Sequence, residues 1–150
     1  MIATPHIIVG SAVGSHINSP WVAFAAGFVS HHILDFIPHL DYGVLKEKKT
    51  SVSTWLYIGL DIVASLAILI YFLSAPHHQP NLIWGALGGL TPDIVDNSPL
   101  WMYYTHRWPI TKQHWQFHLF AQNNLTPHYW WLNVLFQATL ILISLAFIPY

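Results

Sequence analysis

The sequence predicts an all-α fold, a polytopic transmembrane bundle of five to six helices with a His/Asp cluster at one membrane face. Hydrophobic residues make up 54% of the chain and charged residues only 7%, whereas a typical soluble domain is about 25% charged. Two long segments are almost entirely apolar, and no segment shows the period-two alternation of a half-buried strand. These features predict one integral-membrane domain over residues 1–150.

The first two predicted helices are short. Pro5–Ile17 is apolar, and its Gly10 and Gly14 have the spacing of a helix face on which another helix packs closely. Trp21–Ile37 follows after a turn and is apolar except near its end. Trp21–Ile37 is a weaker candidate for a membrane span, and we expect both segments to be helical because neither has a period-two strand pattern.

The next helices include the two strongest candidates for membrane spans. Ser53–Ser74 contains one charged residue and Tyr129–Tyr150 contains none. Each has the roughly 20 residues that are needed to cross a hydrocarbon core. Leu82–Leu90 and its continuation form a weaker span between them.

Three Thr-Pro motifs predict helix starts, with Thr as the N-cap and Pro in the first turn. They are Thr4–His6, Thr91–Asp93 and Thr126–His128.

Composition also excludes several classes of function. The net charge is -1, so the chain lacks the basic face that nucleic-acid binding requires. There is no Cys among the 150 residues, while there are eleven His, so a metal would be held by His, Asp or Glu. The opening "MIATPHIIVG" lacks the basic region of a cleavable signal peptide.

The predicted topology brings His and Asp residues to one membrane face. The basic loop "KEKK", Lys46–Lys49, is assigned to the cytoplasm by the positive-inside rule, and alternating spans then place all five basic residues on that side. We therefore expect a multi-pass inner-membrane protein with its site on the cytoplasmic face. The candidate metal ligands near this face are His6, His31, Asp35, His39, Asp93, His106, His114 and His118.

The spacing of these residues is suited to metal binding. His31 and Asp35 are four residues apart and therefore lie on one face of a helix, where the two can bind one divalent ion, as the paired His of zinc proteases do. The His114–His118 pair repeats this spacing, and the Asp93–Asp96 pair is three residues apart. His39 either continues the face of His31 or lies on the turn beyond it.

Some of these residues allow a second interpretation. His31 could be a buried core histidine bonded to Asp35 without a metal, and His32 is expected to face elsewhere. Asp61, inside the first long span, could be a metal ligand, a partner that orients a ligand His or a proton relay. We favour the first two roles for Asp61 because no second acid lies at a similar depth. Three further histidines are assigned outside the site: His16, His77 and His78.

The segment Pro99–Phe120 mixes aromatic residues with His, Arg and Lys, which is typical of a membrane interface. Arg107, beside His106, is suited to binding a phosphate group. Lys112 either assists Arg107 or only follows the positive-inside rule.

Four motifs carry a resemblance to a known family: "PHIIVGSAVG", "SHHILDFIPHLD", "GALGGLTPDIVD" and "THRW". They resemble the small membrane-bound metal-dependent hydrolases and, more distantly, the zinc-dependent phospholipase C group. The resemblance matches His6, Pro92–Asp93 and His106–Arg107 to the hydrolases. It matches the His31–Asp35 helix and then His39 to the phospholipases.

The chain also departs from both patterns. It has "THRWPITKQH" where the membrane hydrolases have "HRG-x-THS", and its His114–His118 pair stands where the phospholipases use His with Glu. The resemblance implies a helical metal hydrolase of phosphate esters and leaves the substrate open.

The predicted function is therefore that of a membrane-bound hydrolase, which uses one or more Zn²⁺ or other divalent ions to activate water against a phosphate ester or phospholipid. Asp61 is a further candidate metal ligand. Asp96 and Asp41 would orient ligands or act as general base, and Arg107 would neutralise charge in the transition state. The expected partners are membrane lipids and a lipid or phosphate-ester substrate.

The alternative is a non-enzymatic membrane protein, either a metal carrier or a scaffold. A carrier would place acids and histidines along a path through the bilayer, whereas only Asp61 lies deep. A third possibility is a soluble helical bundle, against which the two long apolar segments argue.

Overall fold

The computed structural model describes residues 1–39, 52–74, 80–98, 100–123 and 129–149. These ranges contain helices and no strand, which confirms the predicted all-α class. Two of the helices, α5 and α6, lie almost entirely within Pro99–Phe120, which was assigned to a membrane interface, and the described residues hold seven helices instead of the five to six expected. The helices are α1 (Ala3–Ser15), α2 (Pro20–Asp35), α3 (Val52–Ser74), α4 (Pro80–Asn97), α5 (Met102–Thr105), α6 (Pro109–Ala121) and α7 (Trp130–Phe147).

Glycines allow the backbones of α1, α2 and α4 to meet at the centre of the fold. A Cβ atom added to Gly10 or to Gly27 would overlap the carbonyl oxygen of Gly85, and one added to Gly14 would overlap that of Asn81. Any side chain at these positions would therefore force the helices apart. The close-packing face predicted from Gly10 and Gly14 is confirmed.

The directions of these helices bring their polar ends together. Gly14 lies against Asn81, while the carbonyl of His6 lies against Gly89, so α1 and α4 are antiparallel. α2 contacts the middle of α4, and one turn later His31 Nδ1 lies 2.7 Å from the Gly89 carbonyl oxygen, so α2 and α4 are parallel. The start of α1 thus meets the ends of α2 and α4.

The start of α1 is capped by α3. The carboxylate of Asp61 accepts hydrogen bonds from the backbone N–H of Ala3 (2.6 Å) and of Thr4 (3.1 Å), and from the Thr4 hydroxyl (2.6 Å). The N–H groups of a first helical turn have no partner within the helix, and a negative charge there is favourable. Asp61 therefore serves as an N-cap supplied by another helix. α7 also packs against α1, and α6 contacts α2 and α4.

The Thr-Pro motifs do not start helices as predicted. α1 begins one residue before Thr4, whose hydroxyl donates to Asp61 instead of capping its own helix. Pro92 lies inside α4, where its lack of an N–H leaves the Gly88 carbonyl without its usual intrahelical partner. The third motif, Thr126–His128, lies outside the described residues.

Among the described residues, no helix combines the length and the apolar character that crossing a membrane requires. α1 and α2 have 13 and 16 residues, which at ~1.5 Å per residue span at most roughly 24 Å, against about 30 Å for a hydrocarbon core. Part of their apolar surface packs helix against helix, since Ile7 of α1 and Ala23 of α2 are fully buried. The predictions of a polytopic transmembrane bundle, an inner-membrane location and a site at a membrane face are therefore wrong.

Candidate metal centre

Buried ionisable side chains collect where the polar ends of α1, α2 and α4 meet α6. Such side chains are almost never fully buried unless they are paired or bind a metal. The predicted pairing of His31 and Asp35 on one helix face is observed, since their side chains lie 3.2 Å apart. The ionisable side chains that are at most 1% exposed are His6, His31, Asp35, His39, Asp96 and His118.

The carboxylate of Asp35 is the centre of this cluster. Its Oδ2 lies 3.0 Å from Nε2 of His118 and 3.2 Å from Nε2 of His31. Its Oδ1 lies 3.4 Å from Nε2 of His6 and 3.8 Å from Nε2 of His39. Four imidazole nitrogens from different parts of the chain therefore face one carboxylate, and mixed nitrogen and oxygen donors of this kind suit a divalent transition metal.

Two of these rings are held from behind by backbone carbonyls. His31 Nδ1 lies 2.7 Å from the carbonyl oxygen of Gly89, and His39 Nδ1 lies 2.8 Å from that of Ile37. Because a carbonyl oxygen can only accept, each Nδ1 carries the hydrogen. In a neutral ring the lone pair is then on Nε2, the atom that faces Asp35. Metal-binding histidines are commonly oriented by such contacts.

His118 is held by two carboxylates. Its Nδ1 donates to Asp96 Oδ2 (2.7 Å), and its Nε2 lies 3.0 Å from Asp35 Oδ2 and 3.2 Å from His31 Nε2. Two ring nitrogens this close need a hydrogen between them, and the carboxylates favour its location on His118. Burial alone would lower the pKa of His118, but the hydrogen bonds with Asp35 and Asp96 raise it to about 9.

The other groups at the centre have protonation states that favour metal binding. Burial, with a smaller effect of His31, holds the pKa of His6 well below its usual value, and burial lowers the pKa of His39 to about 4. Burial alone would raise the pKa of Asp35, but hydrogen bonds with His118, His31 and His6 hold it well below its usual range. At neutral pH His6 and His39 are therefore neutral imidazoles and Asp35 is an ionised carboxylate, the forms in which these groups bind metals.

Two groups of side chains have the spacing of metal ligands. The donor atoms of His6, His31 and Asp93 lie within 4.8 Å of one another, as do those of His31, His32 and Asp35. These buried groups could hold a metal ion. His6 supplies a further indication, since it is fully buried and its Nδ1 has no hydrogen-bond partner within the described part of the chain, while its Nε2 faces Asp35 Oδ1 at 3.4 Å. Buried polar atoms without a partner are rare, and a bound cation would satisfy one of them.

Asp93 and Asp96 of α4 differ in their surroundings. Asp96 is fully buried, and although burial alone would raise its pKa, hydrogen bonds with His114 and His118 lower it. The side chain of Asp93 is 19% exposed, it accepts a hydrogen bond from Asn97 (2.8 Å), and desolvation raises its pKa. Asp96 thus orients His118, while Asp93 is the more accessible of the two carboxylates.

Three of the predicted site residues that the structure describes are not part of this cluster. Asp61 caps α1, and Asp41 lies outside the described residues. His106 stacks on Trp115 at a centroid distance of 4.2 Å, and its Nε2 lies 3.1 Å from the backbone carbonyl of Asp96. The exposed guanidinium of Arg107 lies 3.8 Å over the ring of Tyr103. The structure therefore does not place Arg107 where the sequence analysis expected a phosphate group.

Two contributors to the cluster were missed from the sequence. His32 was expected to face elsewhere, but it is buried and its ring packs 5.3 Å from that of His31 and 5.5 Å from that of His118. The backbone nitrogen of Met1 lies 3.2 Å from Asp35 Oδ1. The signal for His32 was its place next to His31, because adjacent residues at a helix end can both turn towards a third helix that packs between them.

Comparisons with other proteins add nothing to this geometry. No protein-family model, no curated protein and no solved structure matches the chain.

Proposed function

We propose that the protein is a zinc-dependent hydrolase of phosphate esters and that the cluster around Asp35 is its active centre. The observation that carries the proposal is the convergence of imidazole Nε2 atoms on one buried carboxylate, with the opposite nitrogens of His31, His39 and His118 already hydrogen-bonded. A histidine network that served packing alone would have no need to direct the same ring atom of each residue to one point.

The donor set favours zinc. Zn²⁺ binds His nitrogen and Asp oxygen in four-coordinate sites, and catalytic sites keep one position open for water or substrate. His6, His31 and Asp93 have donor atoms with suitable mutual distances, and Asp35 and His118 lie beside them. The ligands of one zinc ion would come from these residues.

The ion and the residues around it have defined tasks in the proposed reaction. A bound zinc ion supplies Lewis acidity, which activates water and polarises a phosphoryl oxygen. Asp93, the more accessible of the two carboxylates of α4, would bind the ion together with His6 and His31. Asp96 and the Gly89 carbonyl hold the rings of His118 and His31 in place.

The choice of a phosphate ester is supported by the sequence resemblance to metal-dependent hydrolases, in which His6 and the Pro92–Asp93 element take part. Both lie at or beside the cluster, since His6 and Asp93 belong to one group of metal-ligand spacing. Arg107 is not included in the proposed mechanism, because its guanidinium contacts Tyr103.

The proposal is tested on the full chain after removal of metals with a chelator. Bound zinc is measured by mass spectrometry after reconstitution, and hydrolysis is followed with p-nitrophenyl phosphate as the monoester and bis(p-nitrophenyl) phosphate as the diester. We expect zinc-dependent hydrolysis of at least one compound, lost in His31→Ala and Asp35→Ala. His16→Ala is the matched control, since His16 is exposed, follows the last residue of α1 and directs its ring to the Phe147 carbonyl oxygen.

Bound zinc without hydrolysis of either compound would contradict the enzymatic proposal and favour a non-enzymatic metal-binding protein. Zinc retention by both His31→Ala and Asp35→Ala would contradict the ligand assignment itself.

A further inference from the structure

His32 is a buried side chain that the proposed function leaves without a role. It is 7% exposed, and neither of its ring nitrogens has a hydrogen-bond partner among the described residues. Phe28 and Phe117 pack against its ring at centroid distances of 5.1 Å and 5.0 Å. Buried polar atoms normally have partners, so the ring nitrogens of His32 indicate a ligand that the described part of the chain does not itself supply.

A donor atom of His32 has metal-ligand spacing to two residues of the centre. It lies within 4.8 Å of donor atoms of His31 and Asp35, and all three residues are buried at the end of α2. His31 Nε2 and Asp35 Oδ2 are 3.2 Å apart, close to the edge of about 3.3 Å in a tetrahedron with zinc–ligand bonds of about 2.0–2.1 Å. Asp35 Oδ2 also lies 3.0 Å from His118 Nε2, but a carboxylate oxygen has two lone pairs, so one is left for an ion.

The other oxygen of Asp35 faces the position of the first ion. Its Oδ1 lies 3.4 Å from His6 Nε2, which matches the edge of about 3.3 Å in the same tetrahedron, and the donor atoms of His6 and Asp93 have metal-ligand spacing. The rings of His6 and His31 are stacked at a centroid distance of 3.9 Å. The two ions of two-metal sites are roughly 3.5–4 Å apart, so the stacked rings have the separation of two neighbouring ions.

We propose that the carboxylate of Asp35 bridges two divalent transition-metal ions. His6 and Asp93 bind the first ion. His31 and His32 bind the second ion, and Nε2 of His31 serves only this one when both ions are present, because its Nδ1 carries the hydrogen bonded to a backbone carbonyl. The imidazole ligands favour such metals over Mg²⁺ and Ca²⁺, which prefer all-oxygen sites. The inference rests on the proposed function for the first ion and deepens it to a two-metal centre.

The number of bound ions tests the second position directly. The metal-stripped full chain is titrated with Co²⁺, whose visible absorption reports nitrogen and oxygen ligation, and the ions per chain are counted by mass spectrometry after desalting. We expect two Co²⁺ ions per wild-type chain and one in His32→Phe, which keeps a ring of similar size between Phe28 and Phe117. The matched control is His114→Gln, because the His114 ring lies 5.2 Å from that of His32 but binds neither ion, so this variant should hold two.

One ion per wild-type chain would overturn the second position and leave the proposed hydrolase intact, since that requires only one ion. Two ions in a folded His32→Phe variant would overturn the role of His32. Two ions in the wild type and one in His32→Phe, without hydrolysis of either nitrophenyl ester, would support the bridged pair and contradict the enzymatic proposal alone. If His32→Phe fails to fold, His32→Leu, which places a smaller apolar side chain among the same aromatic neighbours, is counted in its place.

Discussion

Replacement of Gly85 by Ala tests whether the glycine contacts of the central helices position the metal centre. A Cβ atom at this position would overlap the Gly10 carbonyl oxygen and lie 2.9 Å from Gly14 Cα. Both obstacles are backbone atoms of α1, which cannot turn aside as a flexible side chain does. An extra methyl group in a well-packed interior costs about 1–3 kcal/mol, and we expect the upper end, about 3 kcal/mol.

The matched control is Gly59→Ala on α3. A Cβ atom there would have no neighbour within 4 Å, so only helix propensity acts, and Ala is favoured over Gly by roughly 0.5–1 kcal/mol in a helix interior. The same substitution should therefore destabilise the protein at position 85 and stabilise it at position 59.

The free energy of unfolding is measured by urea denaturation followed by circular dichroism, and zinc affinity by competition with a chelator. Gly85 lies one turn before Gly89, whose carbonyl oxygen holds His31, so Gly85→Ala should also weaken zinc binding at least tenfold. Equal stability of the two Ala variants, or unchanged zinc binding in Gly85→Ala, would refute the reasoning.

Three further predictions concern the charged groups. His118 has a pKa of about 9 in the folded chain against 6.5 as its ordinary value. Its contribution to the stability of the zinc-free protein should therefore be complete below pH 6.5 and be lost as the pH rises through about 9. Over the same window zinc affinity should rise about tenfold per pH unit, because one proton is released, and a pH-independent zinc titration would contradict this. Asp61→Ala should lower the free energy of unfolding by about 1–2 kcal/mol in urea denaturation, because Asp61 caps α1 through Ala3 and Thr4; unchanged stability would exclude the capping role. Asp96→Asn should reduce zinc affinity roughly 10–100-fold in a chelator competition, as expected when the partner of a ligand His is altered, and an unaltered affinity would show that Asp96 does not position His118.

The local features of the site were predictable from the sequence. The spacing of His31 and Asp35 places them on one helix face in any helix, and this is how the structure shows them. The spacing of Gly10 and Gly14 indicated a close helix contact, which is also observed. Both predictions depend only on the period of the α-helix, which does not change with the tertiary structure.

The prediction of membrane spans failed because hydropathy averages over a segment and carries no information on what covers each residue. Apolar residues that cross a bilayer and apolar residues that pack helix on helix have the same composition. In α1 and α2 some of them are used for packing, as the burial of Ile7, Ile8 and Ala23 shows, while Val29 and Ile33 of α2 are exposed. The convergence of His and Asp, which the sequence analysis attributed to a shared membrane face, results instead from the antiparallel and parallel packing of three helices.

The roles of Asp61, His32 and Arg107 could not be predicted from the sequence for a related reason. Asp61 and Thr4 of α1 are 57 residues apart in the sequence, and no local sequence pattern predicts a contact at that separation. His32 and His31 are neighbours on one helix, and only the position of α6 brings both towards His118. Arg107 follows His106 directly, yet its side chain turns to Tyr103.

By itself the sequence determined that the chain is helical, that any metal must be held by His, Asp or Glu because Cys is absent, and that His31 and Asp35 act as a pair. These follow from composition and from helical periodicity, which are local properties. Only the tertiary structure decided that His6, His39 and His118 complete the cluster and that Asp61 stays outside it. The physical reason is that the meeting of helix ends depends on backbone contacts between α1, α2 and α4, which form only when all three helices are in place.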